Sequence, residues 1–262
     1  MKKLNGKVAW VTGASRGVGK GIALELMEAG AFVYVTGRTS TDLDYIDDRG
    51  LAVECDHRDD QQVEDVFRRI IDEHGRLDIL VNNVWGGYEN MVENDEFTWS
   101  RPFWQQPLWR WDSMFEAGVR AHYQASRLAA ETMVRRNNGL IVNISFWAAQ
   151  KYIGNVAYGV SKAATDKMTS DMSVELRDYQ VAVVSLYPGL VRTEKVMDAA
   201  AWLDLSNSES PQFIGRAVVG LACDQEIMNK SGKVLVAARL AEEYGFTDID
   251  GKRPRSLTID DV

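Results

Sequence analysis

The sequence predicts an α/β protein built as one doubly wound parallel sheet of about seven strands, with helices on both faces. Three observations carry this. Short β-rich runs alternate with longer stretches of helical period, the βαβ rhythm of a parallel sheet. The first run leads directly into a glycine cluster that is followed by a helix. The chain of 262 residues shows no composition break, repeat or Pro/Gly/Ser linker, which fits a single domain, 1–262, close to the upper size for one core.

Taken in order, Lys7 to Thr12 reads as the first strand. The helix after Gly17 carries Ile22, Leu24, Leu26 and Met27 and stops at Gly30, a residue suited to the helix end. Phe32 to Thr36 and Leu51 to Cys55 are the second and third strands. From Asp59 to His74, the side chains of Val63, Val66, Phe67, Ile70 and Ile71 share one helical face. Leu77 to Asn82 and Leu140 to Ser145 are the fourth and fifth strands, parted by a helical region from about Trp111 to Arg136. A helix from about Ala157 to Arg177 leads to a strand from Val181 to Leu186, and a last strand runs from Lys233 to Val236. Gly86 to Arg110, and everything after Ala238, fall outside the rhythm.

Composition narrows the function classes. A hydrophobic content of 45% and a charged content of 26% are those of an ordinary globular protein. The net charge of −8 argues against general attraction to nucleic acid or to an anionic membrane. Cys55 and Cys223 cannot build a dense disulfide framework, and with His57, His74 and His122 they show no metal-ligand spacing, so no metal is expected. The apolar run Val8 to Val11 is too short for a signal segment and no stretch approaches a membrane span. A cytoplasmic protein without membrane partners is expected.

Two constellations carry chemistry. Thr12-Gly13-Ala14-Ser15-Arg16-Gly17-Val18-Gly19 joins strand to helix. Glycines there permit a tight turn and let backbone N–H groups approach a diphosphate, which gives the expected sheet a Rossmann-type character. By itself such a cluster is equally an ordinary turn. Tyr158 and Lys162 lie four residues apart, one turn along the same helix face. A phenol is a poor acid–base catalyst near neutrality, and a nearby ammonium favours its phenolate. Ser145, thirteen residues earlier at a strand end, is placed to hydrogen-bond the same oxygen.

The order of these motifs, from T-G-x-x-x-G-x-G to Tyr-x-x-x-Lys, resembles the short-chain dehydrogenase/reductase family over nearly the whole chain. Asn82-Asn83-Val84-Trp85-Gly86 stands in altered form for the family's N-N-A-G. Asp56 matches its adenine-contacting acid, and Pro188-Gly189-Leu190-Val191-Arg192-Thr193 matches its P-G-x-x-x-T. The resemblance implies a nicotinamide dinucleotide held by the loop residues Gly13, Ser15, Arg16, Gly17, Val18 and Gly19. Arg38, Asp56 and Asn83 join them, with Tyr158 and Lys162 and, from the later motif, Pro188, Gly189, Val191 and Thr193. It also implies catalysis by Ser145, Tyr158 and Lys162. An NAD site needs a carboxylate at the end of the second strand, where Thr36-Gly37-Arg38 has none. Arg38 and Arg16 are suited instead to a 2′-phosphate, so NADP(H) is the expected cofactor.

Three departures accompany the match. Gly118 stands where the family has an asparagine that anchors a proton-relay water. Ile144-Ser145-Phe146 replaces the common I-S-S, with the loop to Tyr158 one residue short. Trp85 is set near the nicotinamide end. Phrases such as G-V-R-A-H-Y and G-N-V-A-Y-G-V-S-K resemble a subgroup that shares the glycine and implies NADPH-dependent reduction of ketones, steroid-like and aromatic ones included. Residues 86–110 and the family's lid segment, 190–215, are expected on the substrate side, with 240–262 as a tail. Trp99, Trp104, Trp109 and Trp111 crowd the first of these segments. Trp85, Trp147 and Trp202 are the substrate candidates, expected to line an apolar pocket for a bulky cyclic ketone, although any one of them alone reads more readily as a packing or subunit-contact residue. The alternatives are an NADP+-dependent alcohol dehydrogenase working in the opposite direction, and a catalytically weak NADP(H)-binding regulator. The resemblance further implies a homodimer or homotetramer.

Overall fold

The computed structural model describes residues 3–39, 43–88, 91–93 and 96–262. Seven parallel strands form one sheet in the order β3-β2-β1-β4-β7-β8-β9. They are β1 (Val8–Val11), β2 (Phe32–Gly37), β3 (Gly50–Glu54), β4 (Ile79–Asn82), β7 (Gly139–Ile144), β8 (Val181–Tyr187) and β9 (Val234–Val236). The order runs outward from β1 on one side and from β4 on the other. In sheets of this kind ligands bind beyond the strands' carboxyl ends at that switch point.

Helices cover both faces, which is why the central strands are apolar over most of their length rather than alternating, with buried Asn82, Asn143 and Ser185 as the polar exceptions. On one face α1 (Gly17–Glu28), α7 (Pro211–Cys223) and α8 (Ala237–Tyr244) enclose Leu26, Val33, Val184 and Phe213. On the other, α2 (Asp60–His74), α4 (Ala121–Arg136) and α5 (Val156–Leu176) enclose Trp10, Tyr34, Phe67 and Ile141.

Three elements differ from expectation. The helix foreseen from Trp111 begins earlier and changes hydrogen-bond geometry twice: α3 (Leu108–Met114), a π-helical segment at Phe115–Arg120, then α4. The helix α7 was not foreseen, although Ser210 caps it by accepting from Phe213 N at 3.0 Å and Pro211 occupies its first turn. The chain after Ala238 does not leave the fold at once, because α8 buries Ala237, Ala238, Leu240 and Ala241 before ending at Gly245.

The segment 86–110, whose residues 89, 90, 94 and 95 lie outside the described residues, is a built loop. Its strands β5 (Val92–Glu93) and β6 (Glu96–Phe97) pair antiparallel. Arg110, buried, donates to Thr98 O at 3.1 Å and to Thr98 Oγ1 at 2.7 Å. Gln106 Nε2 donates to Trp99 O at 3.0 Å. The segment 190–215 holds the short helix α6 (Glu194–Asp198).

Candidate active site

Asn155 sets the start of α5: its side-chain oxygen accepts from Tyr158 N at 3.0 Å while its amide donates to Trp99 O at 2.9 Å. Tyr158 and the Trp99 wall of the 86–110 loop are thereby tied together. Lys162 follows one turn on and shares Tyr158's burial. Its Nζ donates to Ile144 O at 3.2 Å and lies 5.9 Å from the centroid of the Tyr158 ring. Burial pulls the Lys162 ammonium down to about 8. Burial, with Tyr88 beside it, pushes the Tyr158 phenol well above its ordinary value. At neutral pH the pair is a protonated phenol beside a mostly charged ammonium.

Ser145 is not brought to Tyr158. Its N–H pairs with Leu186 O at 3.0 Å, continuing the sheet, and its hydroxyl donates to Lys162 O at 3.3 Å. Side chains alternate along an extended chain, so the next residue faces the other way. That residue is Phe146, whose ring lies 6.3 Å from Tyr158's. The hydroxyl that meets Tyr158 belongs to Tyr88, at 3.1 Å.

At the other end of the site, Gly13 and Gly17 adopt φ of +63° and +55°. A Cβ on Gly13 would lie 2.6 Å from the Val84 backbone, and one on Gly17 3.1 Å from Thr193 Cγ2. Glycine loop, Asn-Asn segment and the turn at Thr193 therefore close on one another. Asn83 Nδ2 donates to Gly13 O at 2.8 Å. Gly17 N donates to Glu194 Oε2 at 3.0 Å, so an anionic oxygen already sits on the N-terminus of α1. Gly189 N donates to Glu209 Oε2 at 2.7 Å, and Val191 is buried in the core. Asp56 accepts from Arg58, which with Arg38 nearby holds its carboxyl below the usual carboxylate range.

The profile of the short chain dehydrogenase family matches residues 7–204. The chain belongs to the short-chain dehydrogenase/reductase family. It is similar to dehydrogenase/reductase SDR family member 1 of Mus musculus, 41% identical over 95% of this chain and 85% of the relative. A 7alpha-hydroxysteroid dehydrogenase of Paraclostridium sordellii is 30% identical over 90% and 91% of the two chains. Among solved structures, a short-chain type dehydrogenase/reductase from Mycobacterium marinum superposes with a TM-score of 0.76 at 27% identity, covering 89% of this chain and 94% of that one. As a short-chain dehydrogenase/reductase, the protein is an oxidoreductase of the CH–OH/C=O class that binds a nicotinamide dinucleotide.

Within this family the geometry gives Gly118 a steric reason. A Cβ there would stand 2.8 Å from the Trp85 indole, which fills the space beside it. Trp85 covers Lys162 Nζ at 4.2 Å from its centroid and packs against Tyr158 at 5.6 Å. His122 holds the loop that carries it, through Nε2 and Val84 O at 2.9 Å. Burial, then the Lys162 charge, lowers His122 to about 3, so the ring is neutral and its Nε2–H donates. Of the other substrate candidates, Trp147 is 7% exposed and packs on Tyr187 at 5.2 Å, whereas Trp202, beyond α6, is 89% exposed. Trp99, 5.4 Å from Tyr158, is the closer neighbour of that phenol. The phrases G-V-R-A-H-Y and G-N-V-A-Y-G-V-S-K contain His122 and Asn155 without giving either a role. Tyr88 belongs to no motif and lies in an aromatic-rich segment outside the βαβ rhythm.

Proposed function

We propose that the protein is an NADPH-dependent carbonyl reductase for bulky cyclic or aromatic ketones, with Tyr158 as proton donor. The observation that carries this is the buried Tyr158–Lys162 pair on one face of α5, beside the rings of Trp85, Tyr88 and Trp99. A phenol whose proton is held by burial has that proton to give as an alkoxide develops. The Lys162 charge then favours the phenolate left behind.

The residues fit a dinucleotide. Gly13, Gly17 and Gly19 leave backbone bare, the α1 N-terminus already donates to a carboxylate oxygen, and Asn83 braces the turn. Ser15, Val18, Pro188, Gly189, Val191 and Thr193 complete the cradle in this reading, with Asp56 toward the adenine. A nicotinamide dinucleotide bound there supplies the hydride. For NADP(H) over NAD, support comes from Gly37, where a Cβ would press on Ser15 Cβ at 3.2 Å and leave little room for a ribose-binding carboxylate. Arg16 and Arg38 are exposed at the two flanking turns, suited to a 2′-phosphate.

The steroid dehydrogenase among the relatives supports a bulky cyclic substrate. The same residues serve the reverse oxidation, in which Tyr158 takes the alcohol's proton. The proposed setting is cytoplasmic, as a homodimer or homotetramer formed through α4 and α5, whose Tyr123, Val160 and Val174 are exposed. Among the described residues no helix is long and apolar enough to cross a membrane.

The test is NADPH oxidation against steroid, quinone, aromatic and aliphatic ketones, with NADH and Tyr158→Phe in parallel. Turnover with NADPH that falls about 10²- to 10⁴-fold in the variant is expected. Tight NADPH binding without turnover on any ketone or alcohol would replace the reductase with a cofactor-binding regulator.

A further inference from the structure

We propose that the hydroxyl of Tyr88, rather than that of Ser145, is the second hydrogen-bond donor to the substrate oxygen that Tyr158 protonates. The proposal rests on the carbonyl reduction argued above and assigns a catalytic residue to it. An oxygen that receives the Tyr158 proton must sit within hydrogen-bond reach of that hydroxyl. Tyr88 Oη is 3.1 Å from Tyr158 Oη, so one oxygen can lie about 3 Å from both. Ser145 cannot share it without leaving its bond to Lys162 O on the far side of the strand end, and Phe146 fills the near side.

The position of Tyr88 is fixed by the elements that fix Tyr158. Its ring packs on Trp99 at 5.6 Å and on Trp85 at 5.9 Å, and Asn155 links Trp99 to the first turn of α5. Lys195 Nζ on α6 donates to Tyr88 O at 3.3 Å, joining this loop to the lid. Without substrate Tyr88 donates to the Tyr158 oxygen. With substrate bound, its hydrogen turns to the carbonyl oxygen while Tyr158 donates its own. As the carbonyl carbon gains the hydride, the Tyr158 O–H bond breaks and the substrate O–H bond forms. Tyr88 keeps its proton throughout and stabilises the developing negative charge.

The experiment uses the dead-end complex of the protein with NADP+ and acetophenone isotopically labelled at the carbonyl, and reads the bound carbonyl stretch by infrared difference spectroscopy. Each donor to the oxygen lowers that stretch. In Tyr88→Phe, which keeps the ring, the stretch is expected to move back toward its unbound value, and in Ser145→Ala to stay with wild type. NADPH affinity, followed by tryptophan fluorescence, stays within about twofold in Tyr88→Phe, and kcat with NADPH falls roughly 10²- to 10³-fold. A stretch unmoved by Tyr88→Phe, one that responds to Ser145→Ala instead, or no binding of the ketone overturns the proposal. A bound ketone whose stretch depends on Tyr88 but which is not turned over leaves the Tyr88 contact standing and removes the reductase reading.

Discussion

At the scale of single residues, Lys162 shows how burial is turned to chemistry and what it costs. The unfolded chain keeps the lysine proton to about 10.5, the folded chain only to about 8. Below about 8 the fold therefore carries the full penalty of a buried charge, and the penalty fades as pH rises from about 8 to about 10.5. At 1.36 kcal/mol per pH unit the gap is worth roughly 3 kcal/mol. Lys162→Met in the cofactor-free protein should therefore be more stable than wild type at neutral pH by roughly 1–3 kcal/mol. Urea unfolding across pH reads this, and the difference should close toward pH 10.5; a difference independent of pH would refute it. The Tyr158–Lys162 spacing was legible in the sequence because it depends only on helical period. The Tyr88 partner was not, since it reaches Tyr158 across 70 positions by way of a loop.

At the scale of elements, the rod from α3 through the π-helical segment to α4 carries the family's missing asparagine. The π geometry inserts its wide turn where Gly118 faces Trp85, and such turns tend to occur at functional sites. Glycine and indole form a matched pair here. Gly118→Asn should cost about 1–3 kcal/mol through the clash with the ring. Trp85→Ala should recover part of that loss, giving a non-additive double-mutant cycle in thermal or urea unfolding. Additive effects would mean that the indole is not the reason for the glycine. The helical period of this stretch was readable from Trp111 onward. The shift in hydrogen-bond register was not, because residue type barely distinguishes α from π turns. Helix α8 was missed for a different reason: it follows β9 directly, with no linker or polar cap to announce it.

At the scale of the whole molecule, the short helix α6 meets two distant parts of the chain. Glu194 accepts from Gly17 N, and Lys195 donates to Tyr88 O. The carboxylate occupies a helix N-terminus suited to a diphosphate, so cofactor entry in the proposed function displaces it. Glu194→Ala should tighten NADPH binding roughly two- to fivefold, the value of one charge at a helix end, in a tryptophan-fluorescence titration. Weaker binding would show instead that Glu194 helps to hold the cofactor. By itself the sequence determined the parallel sheet, the glycine turn and the Tyr158–Lys162 face, because strand and helix periods and turn chemistry are local properties. Only the tertiary structure decided that Ser145 turns beneath α5, that Trp85 fills the space beside Gly118, and that Tyr88 takes the place next to Tyr158. Those outcomes depend on which side of a strand end each side chain faces and on which distant loop packs there, and local spacing encodes neither.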